Sequence, residues 1–287
     1  MIFLFNLLPV DDIMNKIKAL QYILILRRKP LKKHIATVLS QEEIATDIFS
    51  MWIETDLAKE AKAGQFIEIY PKAESMLLPR PISICQISPD MTSLRIVYRV
   101  AGGGTAEFSW YDEGDAISIL GPCGNGFPID KVNGKDIFCI GGGIGVPPMI
   151  GTAEFCADTA KSVSLIFGYR DELFLNNEAT AAGNLYIATE DGSAGTKGNV
   201  LDAIKENNLK CDVIFACGPM PMLKAIKTYA EENNIEAYIS LEERMACGVG
   251  ACLGCVTKTK HIDEHSKVNN TRICTEGPVF DAKEVLI

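Results

Sequence analysis

Four cysteines, Cys247, Cys252, Cys255 and Cys274, are spaced C-x4-C-x2-C-x18-C. One loop supplies three thiols and a later segment the fourth, which is the ligand spacing of a plant-type [2Fe-2S] cluster. A structural zinc site instead pairs two short C-x2-4-C knuckles, whereas this chain has one short knuckle, one four-residue gap and one distant cysteine. Gly248, Gly250 and Gly254 punctuate the loop. A backbone wrapped around an inorganic core needs positive φ angles and close approach, and glycine supplies both at no steric cost. Zinc, and ordinary buried thiols, remain the competing readings of the same four residues.

A second group of residues has the chemistry of an anion site. Arg80-Pro81-Ile82-Ser83 follows a polar loop at a strand entrance. The arginine offers a rigid fork suited to a pyrophosphate, and the serine a hydrogen bond to a ring or ribityl chain. By itself an Arg-Pro at a strand entrance is also simply a turn. Tyr98-Arg99 closes a later strand, and Gly102-Gly103-Gly104-Thr105 then opens a helix, where glycine amides and the helix start face one point. A flexible hairpin loop is the alternative.

A third group is a strand feeding a glycine turn and a helix: Ile137 to Ile140, then Gly141-Gly142-Gly143-Ile144-Gly145-Val146-Pro147-Pro148. The prolines suit a first helical turn. Val146 and Pro147 stand where the G-x-G-x-x-G pattern has its third glycine, so the turn is expected to bind a pyrophosphate with looser packing of helix on strand. Cys217-Gly218-Pro219 closes another strand and starts a helix, which places the Cys217 thiol where it faces a nicotinamide ring, or else buries it in a plain turn. Glu190-Asp191 lies past a further strand. Carboxylates there accept from a ribose 2′-hydroxyl and repel a 2′-phosphate, favouring NAD(H) over NADP(H); a solvated acidic turn reads almost as well.

The elements that must position these groups change rhythm near Gly134. Upstream, alternating β-branched runs at 35–39, 48–54, 65–70, 82–87, 94–100 and 116–120, with one helix at 105–110, predict an antiparallel six-stranded β-barrel. Downstream, strands at 136–140, 162–167, 186–189, 213–216 and 236–241 alternate with helices at 149–158, 199–206 and 220–232. That alternation predicts an α/β domain built on a parallel sheet of about five strands, with nucleotide at its carboxyl edge. The expected division is an N-terminal extension 1–31, a flavin barrel 32–133, a nucleotide-binding domain 134–241 and a small cluster segment 242–287.

A chain of 287 residues with 47% apolar and 23% charged residues is an ordinary globular composition of more than one domain. A formal charge of −9 argues against nucleic acid as a partner, because phosphate binding needs a basic face. Ten cysteines, four of them in one pattern and the rest scattered, fit a reducing cytoplasm better than a disulfide framework. The apolar runs near the start are too short to span a bilayer, and Arg27-Arg28-Lys29 follows the apolar stretch instead of preceding it, unlike a signal peptide. The extension is read as dispensable; alternatively Ile13, Ile17 and Leu20, which have helical spacing, form an amphipathic membrane-surface helix.

The ordered set Arg80-Pro81-Ile82-Ser83, Gly104-Thr105, Gly121-Pro122-Cys123-Gly124-Asn125-Gly126-Phe127-Pro128, the Gly141 turn, Cys217-Gly218-Pro219-Met220 and Leu241-Glu242-Glu243-Arg244-Met245 resembles the ferredoxin-NADP reductase superfamily. More closely it resembles the electron-transfer subunits of type B dihydroorotate dehydrogenases. The resemblance spans residues 32–279. It implies FAD held by Arg80, Pro81, Ile82, Ser83, Val97, Tyr98, Arg99, Gly104 and Thr105, and cluster ligation by Cys247, Cys252, Cys255 and Cys274. It also implies a catalytic partner subunit carrying FMN, in a heterotetramer of two of each. Electrons from dihydroorotate would pass through the cluster and FAD to NAD⁺ in pyrimidine biosynthesis, with no acid–base residue assigned in this chain. The insert 258–271, with His261 and His265, departs from the pattern and is expected to be a solvated hairpin. A related subunit of sulfide dehydrogenase or ferredoxin reductase type, and a non-catalytic redox sensor, are the alternative functions.

Overall fold

The computed structural model describes residues 33–262 and 267–287. The N-terminal extension, with its Ile13, Ile17 and Leu20 spacing, and His265 of the insert lie outside the described residues.

Six strands, β1 (Lys33–Ala45), β2 (Ile48–Glu54), β3 (Phe66–Tyr70), β4 (Arg80–Ile87), β5 (Ser93–Arg99) and β6 (Ala116–Cys123), close into a barrel in the order β1-β2-β5-β4-β3-β6. Every pairing is antiparallel. The period-two pattern turns Val38, Met51, Ile53, Ile67, Ile69, Leu94, Ile96, Ile117 and Ile119 into the lumen core. The helix expected at 105–110 begins earlier, as α1 (Gly103–Phe108). Thr105 Oγ1 accepts the N–H groups of Ala101 and Gly102 at 2.9 and 3.2 Å, and so organises the turn ahead of it.

The nucleotide-binding region follows as β7 (Asp136–Gly142), α2 (Val146–Ala157), β8 (Ser162–Tyr169), α3 (Asn176–Ala182), β9 (Asn184–Thr189), β10 (Thr196–Lys197), α4 (Val200–Glu206), β11 (Val213–Cys217), α5 (Met220–Glu232) and β12 (Glu236–Ser240). The C-terminal part forms the hairpin β13 (Val256–Lys258) and β14 (Asn270–Arg272), which brackets the insert, and then β15 (Val279–Asp281). The main sheet runs β10-β9-β8-β7-β11-β12-β15. The expected five parallel strands form its centre. The two additions are β10, only two residues long, and β15, which pairs antiparallel with β12. Strand order reverses between β7 and β11, so the switch-point crevice opens between their carboxyl ends. α3 has no counterpart in the sequence reading, because its run of Asn, Glu, Thr and Ala has no apolar stripe and buries only Ala179 and Ala182.

The barrel and the sheet domain meet over a polar knot and one close helix approach. Arg95 on β5, buried, donates from Nε to Ser50 Oγ at 2.9 Å and from Nη1 to Gln86 Oε1 and Glu178 Oε1 at 2.9 and 3.0 Å. Gln86 Nε2 donates to Glu154 Oε1 of α2 at 2.5 Å. A Cβ at Gly151 of α2 would stand 2.0 Å from the Cys85 carbonyl of β4, so only glycine lets the helix lie this near the barrel.

Candidate functional site

The anion-site residues come together. A Cβ on Gly104 would fall 2.5 Å from Arg80 Nε and 2.8 Å from Nη2, so the guanidinium lies across the start of α1. Arg80 Nη1 donates to the Leu78 carbonyl at 2.5 Å, which fixes the fork. Arg80, Pro81, Ile82, Ser83, Val97, Tyr98, Arg99 and Thr105 line one cavity of about 920 Å³. Tyr98 touches it with its side chain otherwise buried: the ring stacks on Phe49 and the hydroxyl donates to Gln41 Oε1 at 2.8 Å. Three further wall segments escaped the sequence reading of the site: the loop 75–79, Phe66, and residues 240–245 with Pro278. Glu107 holds that loop's base by accepting the N–H groups of Lys72 and Ala73 at 2.5 and 3.1 Å.

Ile144 of the nucleotide turn also lines this cavity, so the turn and the barrel pocket share a wall. Gly141 faces Cys217 across the β7–β11 pairing, Gly142 packs on Pro219 and Met222, and a Cβ on Gly145 would stand 2.3 Å from the Cys217 carbonyl. Gly143 has φ +52° and open space above it. The looser helix–strand packing expected from the missing third glycine does not occur. Gly141 lets the Val146 Cα come within 2.8 Å of its Cβ position, and Val146, Pro147 and Pro148 are buried. The glycine on the strand side does what a third glycine on the helix side would do. The Cys217 thiol is buried behind Gly145, outside the cavity wall, and burial pushes its pKa far up. Glu190 and Asp191 lie exposed past β9, where Asp191 accepts the Ser193 N–H at 2.9 Å, and that bond holds its carboxyl below the usual range.

The cysteine loop follows the cavity wall directly: Met245 lines the cavity, and Cys247 stands two residues on. Gly248 and Gly250 have φ of +63° and +80°, the conformations expected of a loop wrapped on a core, whereas the third positive φ falls on Leu253 at +59° and not on Gly254. Backbone N–H groups already point at sulfur: Ala251 and Cys252 at Cys247 Sγ (3.3 and 3.4 Å), Gly254 at Cys252 Sγ (3.4 Å), and Cys274 at Cys255 Sγ (3.4 Å). Burial opposes ionisation of Cys247, but the N–H groups of Cys252, Val249 and Ala251 outweigh it and bring its pKa to about 6. Cys274, buried beside Cys255, is pushed up to about 12. Arg272 braces the arrangement, donating to the Gly250 carbonyl at 3.2 Å while its fork clamps Glu276 at 2.8 and 2.5 Å. Among the described residues no three His, Cys, Asp or Glu side chains converge on a single ion; a binuclear cluster divides its thiolates between two irons and does not need them to. Four soft thiols with amides aimed at them, on a glycine-opened loop, fit an iron–sulfur cluster. From below, the loop rests on Glu68 of β3, which is fully buried and whose carboxyl burial raises to about 7, with Cys247 adding to the shift.

A closed flavin-type barrel, a parallel nucleotide sheet sharing its cavity and a four-cysteine loop define an iron–sulfur flavoprotein reductase, an oxidoreductase with FAD, [2Fe-2S] and NAD(H) as cofactors. The fold matches the NADH-dependent reduced ferredoxin-NADP oxidoreductase structure with a TM-score of 0.78 at 27% identity, over 88% of this chain and 90% of that one. A ferredoxin NADP⁺ reductase from Neisseria gonorrhoeae with bound FAD and NADP shares the fold at 19% identity and a TM-score of 0.60, over 74% of this chain and 94% of that one. Residues 242–286 match the iron-sulfur cluster binding domain of dihydroorotate dehydrogenase B. The dihydroorotate dehydrogenase B (NAD(+)) electron transfer subunits of Bacillus pumilus and Shouchella clausii are 41% and 38% identical to it, over 90% and 88% of this chain and 99% and 97% of theirs. The chain belongs to this family of electron transfer subunits.

Proposed function

We propose that the chain takes electrons from an FMN-containing catalytic subunit that oxidises dihydroorotate and delivers them to NAD⁺, in an assembly of two copies of each subunit serving pyrimidine synthesis. The observation that carries this reading is the continuity of the wall: residues 240–245 line the flavin cavity and run straight into Cys247, so the two redox sites adjoin along one short piece of backbone. Cys247, Cys252, Cys255 and Cys274 hold the cluster. The Arg80 fork takes the FAD pyrophosphate over Gly104 and Thr105, Ser83 with Pro81 and Ile82 borders the ring, and Val97, Tyr98 and Arg99 form the opposite side. Gly141, Gly142, Gly143 and Gly145 seat the NAD pyrophosphate, with Cys217, Gly218 and Pro219 behind the nicotinamide and Glu190 and Asp191 excluding a 2′-phosphate. Bound flavin couples one-electron to hydride chemistry. The protein's part is to hold the groups side by side and to keep water from the ring. The working parts are the barrel 32–133, the sheet domain 134–241 and the cluster segment 242–287. Among the described residues no helix is long and apolar enough to cross a membrane.

Co-expression with the FMN subunit tests the reading: the purified complex is expected to reduce NAD⁺ on addition of dihydroorotate. A complex that forms but gives no dihydroorotate-dependent NADH refutes it. The likeness at 27% identity to a ferredoxin-NADP oxidoreductase favours one second reading, with reduced ferredoxin as donor. Ferredoxin-dependent NAD(P)⁺ reduction by the isolated chain would establish that reading instead.

A further inference from the structure

Among the described residues, Glu68 Oε1 and Oε2 are the only buried side-chain nitrogen or oxygen atoms without a hydrogen-bond partner. Glu68 is 0% exposed. Its strand alternates: Ile67 and Ile69 fill the barrel lumen, while Phe66 and Tyr70 pack outside it with Met245, Cys255 and Cys274. Glu68 therefore stands on the outer face, opposite Pro81 on one side and Leu120 on the other, between the flavin cavity that Phe66 lines and the cysteine loop. The loop closes directly over it. A Cβ on Gly248 would meet Glu68 Oε1 at 2.7 Å, Cγ at 2.8 Å and Cδ at 3.1 Å.

Burial without a partner disfavours the ionised carboxylate, whereas the neutral acid needs only one acceptor. No donor reaches either carboxyl oxygen, and Cys247, one residue from Gly248, adds as a thiolate to the preference for the uncharged form. We propose that Glu68 is a positioning residue for the cluster, a neutral carboxylic acid presented by the barrel strand, whose O–H offsets the negative charge that reduction places on the cluster behind Gly248. A carboxylic acid kept neutral by an apolar site and used as a donor toward developing charge is established chemistry in proteins.

The inference rests on the cluster reading. Iron, acid-labile sulfide and FAD assays of the wild-type holoprotein test that reading separately. The test compares wild type, Glu68→Gln and Glu68→Leu as loaded proteins, reading the cluster midpoint potential by EPR-monitored titration and the reduced-minus-oxidised infrared difference spectrum. Gln keeps a donor, so its midpoint is expected to stay near wild type. Leu removes the donor, so its midpoint is expected to fall. The wild-type difference spectrum is expected to contain a protonated-carboxyl C=O band that shifts on reduction and is missing in Glu68→Gln. A purely structural role would lower cluster content without moving the midpoint of the clusters that remain. Three results overturn the proposal: a Leu midpoint equal to wild type, a Gln midpoint raised as if a negative charge had been removed, or no carboxyl band distinguishing wild type from Gln. If Leu prevents loading, the Gln midpoint and the infrared band still decide.

Discussion

Cys274 reaches the cysteine loop from a different segment, through one amide-to-sulfur contact with Cys255 and the Arg272 clamp beside it. Cys274→Ser is therefore expected to abolish cluster absorbance and dihydroorotate-driven NAD⁺ reduction. NADH oxidation with an acceptor that takes electrons from flavin should persist, since Met245 and Pro278 line the cavity independently of that sulfur; flavin lost together with the cluster would contradict this. At the other end of the path, Glu190 and Asp191 are expected to give NADH a higher kcat/KM than NADPH, and Glu190→Ala with Asp191→Ser to narrow the gap. Equal values in the wild type would show that this pair does not face the ribose. The cysteine loop and the amides turned toward its sulfurs were legible because thiol chemistry tolerates few arrangements. Glu68 was not legible: an acidic residue at an alternate strand position ordinarily marks the solvent face, and nothing local shows that a loop about 180 residues later in the chain covers it. Tyr98 was legible as a neighbour of the cavity, while the commitment of its hydroxyl to Gln41 depends on tertiary contact.

Among the elements, α2 carries the join between barrel and sheet. Gly151→Ala would drive a methyl into the Cys85 carbonyl, and overpacking of this kind costs about 1–3 kcal/mol. The expected outcome is a lower midpoint in denaturant unfolding, with weakened NADH-to-flavin transfer because Ile144, just ahead of the helix, shares the flavin cavity. Unchanged stability and transfer would show that the helix relaxes away freely. The barrel strands could be read from sequence because one face of each is packed and the period of two survives. α3, built from Asn, Glu, Thr and Ala, and the two- and three-residue strands β10 and β15 could not, because elements so short or so weakly apolar exist only through the neighbours they join. The helix–strand contact at Gly141 was misjudged for a related reason: the pattern specifies where glycines stand, and either partner of a close contact can supply the missing Cβ.

For the molecule as a whole, the flavin cavity is assembled from barrel, nucleotide turn and C-terminal segment together. A chain truncated after Ser240 is expected to lose FAD as well as the cluster, which flavin absorbance after gel filtration would show; full flavin retention would mean that the barrel alone suffices. Asn125 reinforces the dependence, since its backbone N–H donates to the Gly277 carbonyl at 2.5 Å and its side chain to the Glu276 carbonyl at 2.9 Å. The same β15 has a protective consequence. A parallel sheet ending at β12 would present an open row of unpaired amides and carbonyls, a template for a second chain to add a strand. β15 covers that border in the antiparallel sense for three residues, and β10 leaves only a two-residue stub at the opposite border. Both margins are thus too short to recruit a stranger's strand. The segment that bears the fourth thiol therefore also guards the nucleotide domain against self-association once β15 has paired with β12.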